Sequence, residues 1–103
     1  MVEDDFEIIH QLERILKNAK RFDCKVTTAR SGKEGFEYLE EKLYDVVLSE
    51  YDMPDMGGID FLKKVREKYP AETMRFLIID EGETKRANEA LNDGVIHQYI
   101  ENP

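Results

Sequence analysis

Cysteine is nearly missing from this chain: Cys24 is the only one among 103 residues. No internal disulfide can form, and a thiolate zinc site is excluded. The composition fits a reducing compartment. Long apolar runs are missing too. None approaches the ~18 residues needed to span a bilayer as a helix, so no membrane partner is expected. Positive charge is scarce, with 15 basic residues against 23 acidic ones and a formal net charge of −8. Binding to nucleic-acid phosphates needs a clustered positive face, so a nucleic-acid partner is not expected either. Glu3, Asp4 and Asp5 are opposite in sign to the basic opening of a secretory signal. There is no internal repeat, low-complexity tract or linker.

What is present is a globular composition. Hydrophobic residues make up 41%, and 6 glycines bring the apolar share to the usual range, so 37% charged residues does not indicate disorder. The length allows one domain, 1–103, and leaves little room for a second.

Element types alternate along the chain. Phe6, Ile9, Leu12, Leu16 and Ala19 recur at spacings of three and four, which predicts a helix over about Asp5 to Lys20. Val26, Thr27 and Thr28 are β-branched, which predicts a strand over Cys24 to Ala29. Ser31 followed by Glu34 reads as a capping box, opening a helix with Phe36, Leu39 and Leu43 on one face. Val46-Val47-Leu48 is a short unbroken apolar run between Asp45 and Glu50, as in a parallel strand covered on both faces. Pro54, Gly57 and Gly58 mark a loop over Tyr51 to Gly58. Ile59, Leu62 and Val65 define a third helix that Pro70 must end. Phe76 to Ile79 reads as a buried strand, Glu83 to Asp93 as a helix stopped by Gly94, and Val95 to Ile100 as the last strand. Strands separated by helices imply crossover connections and a parallel sheet. The expected architecture is α/β and flavodoxin-like, a parallel sheet sandwiched by helices. Periodicity does not give the strand order.

In such a sheet, ligands sit beyond the carboxyl ends of the strands. Those ends are acidic here. Glu50, Asp52 and Asp55 follow one strand, Asp80 and Glu81 another, and Glu3 and Asp4 follow the very short Met1-Val2. The expected crevice gathers Glu3, Asp4, Glu50 and Asp80. Carboxylates within about 4–6 Å raise one another's pKa unless a cation neutralises them. One reading is a hard divalent cation such as Mg2+, which prefers carboxylate oxygens. The plainer reading is that some of these acids point outward and complement helix N-termini.

Several segments carry a family resemblance. Val2-Glu3-Asp4-Asp5, Tyr44-Asp45-Val46-Val47-Leu48, Met53-Pro54-Asp55-Met56-Gly57-Gly58 and Tyr99-Ile100-Glu101-Asn102-Pro103 stand in order. Ala29 to Gly35 and Gly58 to Arg66 add to them. Together they resemble the receiver domain of two-component response regulators over nearly the whole chain. Asn88 to Gly94 resembles receivers attached to hydrogenase-type regulators and to metal-dependent phosphohydrolase modules. The resemblance implies phosphoryl transfer from a histidine kinase to an aspartate ending the third strand. It also implies Mg2+ held by an acidic pair, a Thr or Ser after the fourth strand, a Lys after the fifth, and an aromatic switch residue.

Carried over residue by residue, the acidic pair falls on Glu3 and Asp4, and the aromatic on Tyr99. The phosphoacceptor position holds Glu50, the hydroxyl position Asp80 and the lysine position Asn102. A Glu carboxylate reaches roughly 1.5 Å further than that of Asp, and in-line attack tolerates little misplacement. Asp80 puts an anion where phosphoryl oxygens would sit, and Asn102 lacks the neutralising cation. Phosphoryl transfer is mostly positioning and charge stabilisation, so both are compromised. The expectation is a degenerate, pseudo-receiver-like module. Glu50 in part imitates the charge of a phosphoaspartate. Any Mg2+ site at Glu3, Asp4 and Glu50 is expected to be weak.

A receiver normally opens with a longer apolar strand and ends with a fifth helix. Here two residues precede Glu3 and the chain stops at Pro103. The expectation is a trimmed segment, or a gap closed by rearranged pairing or by another chain. The expected function is a signalling module acting in the cytoplasm through protein partners: a histidine kinase, its own output domain or a second copy. The alternatives are a working phosphoacceptor using Glu50 or Asp52, and a Mg2+-dependent phosphohydrolase-like domain. His10 and His97 read as structural, Cys24 as a small buried hydrophobe, Met53 and Met56 as loop packing, and Glu37, Glu40, Glu41 and Lys42 as a solvated helix face.

Overall fold

The computed structural model describes Gln11, Arg14, residues 25–69 and residues 73–101. Gln11 and Arg14 are helical. The rest of the expected first helix, Met1-Val2, Glu3, Asp4, His10, Cys24, Pro70 and Asn102 lie outside the described residues. Seven elements follow: β1 (Val26–Ala29), α1 (Gly32–Glu41), β2 (Val46–Glu50), α2 (Gly58–Lys68), β3 (Met74–Ile79), α3 (Thr84–Asn92) and β4 (Gln98–Glu101).

The strands form one parallel sheet in the order β1-β2-β3-β4. β1 pairs directly with β2, with Val26 opposite Val46 and Ala29 opposite Ser49. The common flavodoxin-like order 2-1-3-4-5 would place another strand between them. In the described sheet no strand stands between them.

Side-chain alternation gives the sheet two apolar faces, as the unbroken run at Val46 to Leu48 required. Ala29, Val47, Leu77 and Ile79 pack with Leu39 of α1, Phe61, Leu62 and Val65 of α2, and Ala87 and Ala90 of α3. Val26, Val46, Leu48, Phe76, Ile78 and Ile100 form a second buried cluster. The Gln11 side chain donates to the Glu101 carbonyl at 3.1 Å, tying the first helical segment to β4.

Local chemistry explains most boundaries. Ser31 Oγ accepts the Glu34 amide at 3.0 Å, the expected cap of α1. α2 ends at Tyr69, which is extended as a residue before proline must be. Gly94 takes a positive φ of 76° and stops α3.

Two strands differ from expectation. β3 starts at Met74 rather than Phe76 because Met74 and Arg75 already pair with Val46 and Val47. The charge of Arg75 hid this in the sequence. β4 starts at Gln98 rather than Val95, because the Val95 and Ile96 amides still bond to the Ala90 carbonyl of α3. Both side chains are buried, so this apolar pair packs into the core from the turn rather than from the strand.

Candidate functional site

The carboxyl ends of β2 and β3 are neighbours because Glu50 pairs with Ile78. The Tyr51 amide extends that contact, donating to the Ile78 carbonyl at 2.9 Å. Beyond it the chain folds back on itself. Asp52 bridges Gly57, and the Gly58 amide donates to the Tyr51 carbonyl at 2.8 Å. Gly58 must be glycine here, since a Cβ would strike the Glu50 carbonyl oxygen and lie 3.0 Å from its carbon. After β3, a turn with Gly82 at φ 98° lets the Glu83 amide reach the Asp80 carbonyl at 3.2 Å. Glu83 Oε1 accepts the Asp80 amide in return at 2.7 Å.

These devices leave a cavity of about 130 Å³ lined by Glu50, Tyr51, Asp52, Ile78, Asp80 and Glu83. Glu50 is half-buried; Asp52 and Asp80 are exposed. Of the residues predicted from sequence, Glu50, Asp80 and Asp52 are brought together. Tyr99 is not among the lining residues. It pairs with Leu77 and packs half-buried against the helix-side core. Glu3, Asp4 and Asn102 lie outside the described residues.

Among the described residues, four carboxylates line the cavity and no Lys, Arg, Ser or Thr does. Such a lining offers nothing positive to developing phosphoryl charge. Positive charge stands one cavity away. Tyr51 and Asp52 also border a space of about 260 Å³ whose lining includes Lys63 of α2 and Arg86 of α3. Sequence reading missed Glu83, Lys63 and Arg86. Glu83 was detectable in principle, three residues beyond Asp80 across a Gly-containing turn. Lys63 and Arg86 carry no local sign of their position.

Among the described residues, no group of three or more His, Cys, Asp or Glu side chains is placed to hold a metal ion. Of the three residues expected to hold Mg2+, only Glu50 is described, so the described residues alone do not furnish the site. One carboxylate nearby has a clear structural task. Asp55 accepts the Gly32 amide at 2.8 Å and the Lys33 amide at 2.9 Å. These bonds hold its pKa below the ordinary 3.8. No described helix is long and apolar enough to cross a membrane.

A family model for the response regulator receiver domain matches residues 1–103. The transcriptional regulatory protein CitT of Halalkalibacterium halodurans is 30% identical over 102 residues, covering 97% of this chain and 44% of CitT. The hydrogenase transcriptional regulatory protein HoxA of Bradyrhizobium diazoefficiens is 29% identical over 103 residues, covering 100% of this chain and 20% of HoxA. This chain therefore spans less than half the length of either relative. Among solved structures, the signal receiver domain of an HD domain-containing protein from Pseudomonas fluorescens Pf-5 matches with TM-score 0.65 and 25% identity, over 97% of this chain and 71% of that one.

Proposed function

The chain belongs to the response regulator receiver family, and from that membership we propose that it signals through protein contacts without ordinary aspartyl phosphorylation. The observation that carries this reading is the cavity at the ends of β2 and β3. Its described lining holds Glu50 where the family has its acceptor aspartate, with Asp52, Asp80 and Glu83 around it and, among the described residues, no cation or Ser/Thr hydroxyl. An incoming phosphoryl group would meet four carboxylates. Asn102, at the family's lysine position, carries no positive charge.

On this reading Glu50 supplies a standing negative charge beside Asp80 in the cavity, and Asp80, Tyr99 and Asn102 hold the switch-equivalent positions. Any Mg2+ at Glu3, Asp4 and Glu50 is weakly held. The partners are proteins: a histidine kinase, an attached output domain or a second copy, in the cytoplasm. The module has no turnover of its own.

The test is incubation with a small phosphodonor and Mg2+, followed by intact mass. The expected result is an unchanged mass. An added phosphoryl mass that disappears in Asp52→Asn or Glu50→Gln would overturn the proposal in favour of a working acceptor. A Mg2+ titration that saturates at micromolar metal would overturn the weak-site part.

A further inference from the structure

At the end of the sheet opposite the acidic cavity, β4 is joined to β3 through a side chain. The His97 amide donates to the Arg75 carbonyl at 2.8 Å. The Arg75 amide donates to His97 Nδ1 at 2.9 Å. His97 thus answers both main-chain groups of Arg75, one with its backbone and one with its ring. The Arg75 side chain holds the preceding turn, donating from Nε to the Val95 carbonyl at 2.7 Å and from Nη2 to the Gly94 carbonyl at 3.1 Å. Arg75 is only 6% exposed.

We infer that His97 and Arg75 form an acid-sensitive latch that holds the head of β4 against β3. Nδ1 accepts a hydrogen bond only while it carries no proton. Protonation would set N–H against N–H and leave the Arg75 amide without its acceptor in a largely buried residue. It would also place an imidazolium beside a guanidinium.

Among the described residues, the charges shown to act on Arg75 and His97 are positive. Arg75 on β3 faces the ring. Arg66 on α2 stands behind it, donating to the Asp93 main-chain carbonyl at 3.0 Å. Asp93 in the turn and Glu101 on β4 each stand four residues from His97, and Glu72, outside the described residues, stands three from Arg75. Among the described residues no carboxylate forms an ion pair with Arg75 or His97. His97 is exposed as a residue, yet partial desolvation of its ring and then the charge of Arg75 outweigh the backbone hydrogen bond with Arg75, which acts the other way, and hold the His97 pKa below the ordinary 6.5. The latch is therefore fully closed above that value. It weakens as pH falls through 6.5 toward the lower folded-state value. The strand released at its head carries Tyr99, so acid would loosen the segment that bears the switch position.

The experiment is amide hydrogen exchange by NMR on the full chain, together with direct titration of the His97 imidazole. Between about pH 7.5 and about pH 5, exchange of the Arg75 and His97 amides, corrected for intrinsic rates, should rise about fivefold or more. The Leu48 amide on β2 should not respond. His97→Asn offers a carbonyl acceptor that does not titrate; it should keep both amides protected at both pH values. An unchanged wild-type exchange ratio, an acid response that persists in His97→Asn, or an imidazole pKa at or above 6.5 would overturn the latch. The wild-type titration decides alone if the variant does not fold.

Discussion

Asp55 and Gly32 are joined by a 2.8 Å hydrogen bond that ties the loop after β2 to the first turn of α1. Lys33 donates to the second carboxylate oxygen at 2.9 Å, so α1 is capped twice, by Ser31 from within and by Asp55 from across the molecule. Free helix amides need such partners. The folded-state pKa of Asp55 is depressed, so its contribution is fully present above the unfolded value of 3.8 and disappears as pH falls through the folded one. Asp55→Ala should lower the urea midpoint at neutral pH. It should also flatten the loss of stability below about pH 4, measured by circular dichroism. An identical acid limb in the variant would show that the carboxylate is not linked to folding.

Gly58 lies close against the Glu50 main chain. A methyl group at Gly58 would meet the Glu50 carbonyl rather than a flexible side chain, so relief requires α2 to move away from β2. Gly58→Ala should destabilise by roughly 1–3 kcal/mol in urea titration, the range of overpacked interiors. It should also shift the NMR resonances of Glu50, Tyr51 and Asp52. Loss of stability without those shifts would locate the strain elsewhere.

Legibility followed sequence distance. Ser31 and Glu34 announce the start of α1 because the cap spans one turn. Asp55 does not, because its partner Gly32 lies 23 residues away. Glu50 and Asp80 were found together because both end strands of one parallel sheet, and that geometry needs no contact list. Gly57 and Gly58 marked a loop, but the approach of Gly58 to Glu50 depends on tertiary packing. Val95 and Ile96 read as strand because they are β-branched and apolar, whereas their burial is made from a turn. Arg75 broke the apolar pattern of β3, although its guanidinium is satisfied by carbonyls that only the fold brings near.

Phe61 anchors the helix-side core. It is fully buried, its ring lies 4.9 Å from that of Phe36, and the absent side chain of Gly35 leaves room for its edge. Phe61→Ala should cost about 3–5 kcal/mol by denaturant titration. That is a large fraction of the ~5–15 kcal/mol typical of a domain. Gly35→Ala should also destabilise, because its new Cβ would press on the Phe61 ring and on Ala29 Cβ at 2.8 Å. In Gly35→Ala/Phe61→Ala the two costs should fall short of their sum, since the truncated ring no longer opposes the added methyl. Strict additivity would separate the two positions.

If the proposed function holds, acceptor chemistry should emerge only when the three departures are reversed together. Glu50→Asp alone shortens the carboxylate but leaves Asp80 repelling phosphoryl oxygens and no cation to neutralise them. Asp80→Thr replaces that anion with a hydroxyl donor but keeps the over-long acceptor. Asn102→Lys supplies a charge from the chain end but nothing to receive the phosphoryl group. These roles act as a unit, so the single changes should each yield no more than a trace of phosphorylated protein. The triple variant, incubated with a small phosphodonor and Mg2+, should gain one base-labile, hydroxylamine-sensitive phosphoryl group by intact mass. Its label should be lost when position 50 is changed again to Asn. If the triple variant stays unmodified while folded, these three side chains do not by themselves govern acceptor chemistry here, and the strand next to β2 becomes the place to look. There β1 pairs directly, Val26 against Val46, where the usual fold inserts the strand that leads into the acidic pair.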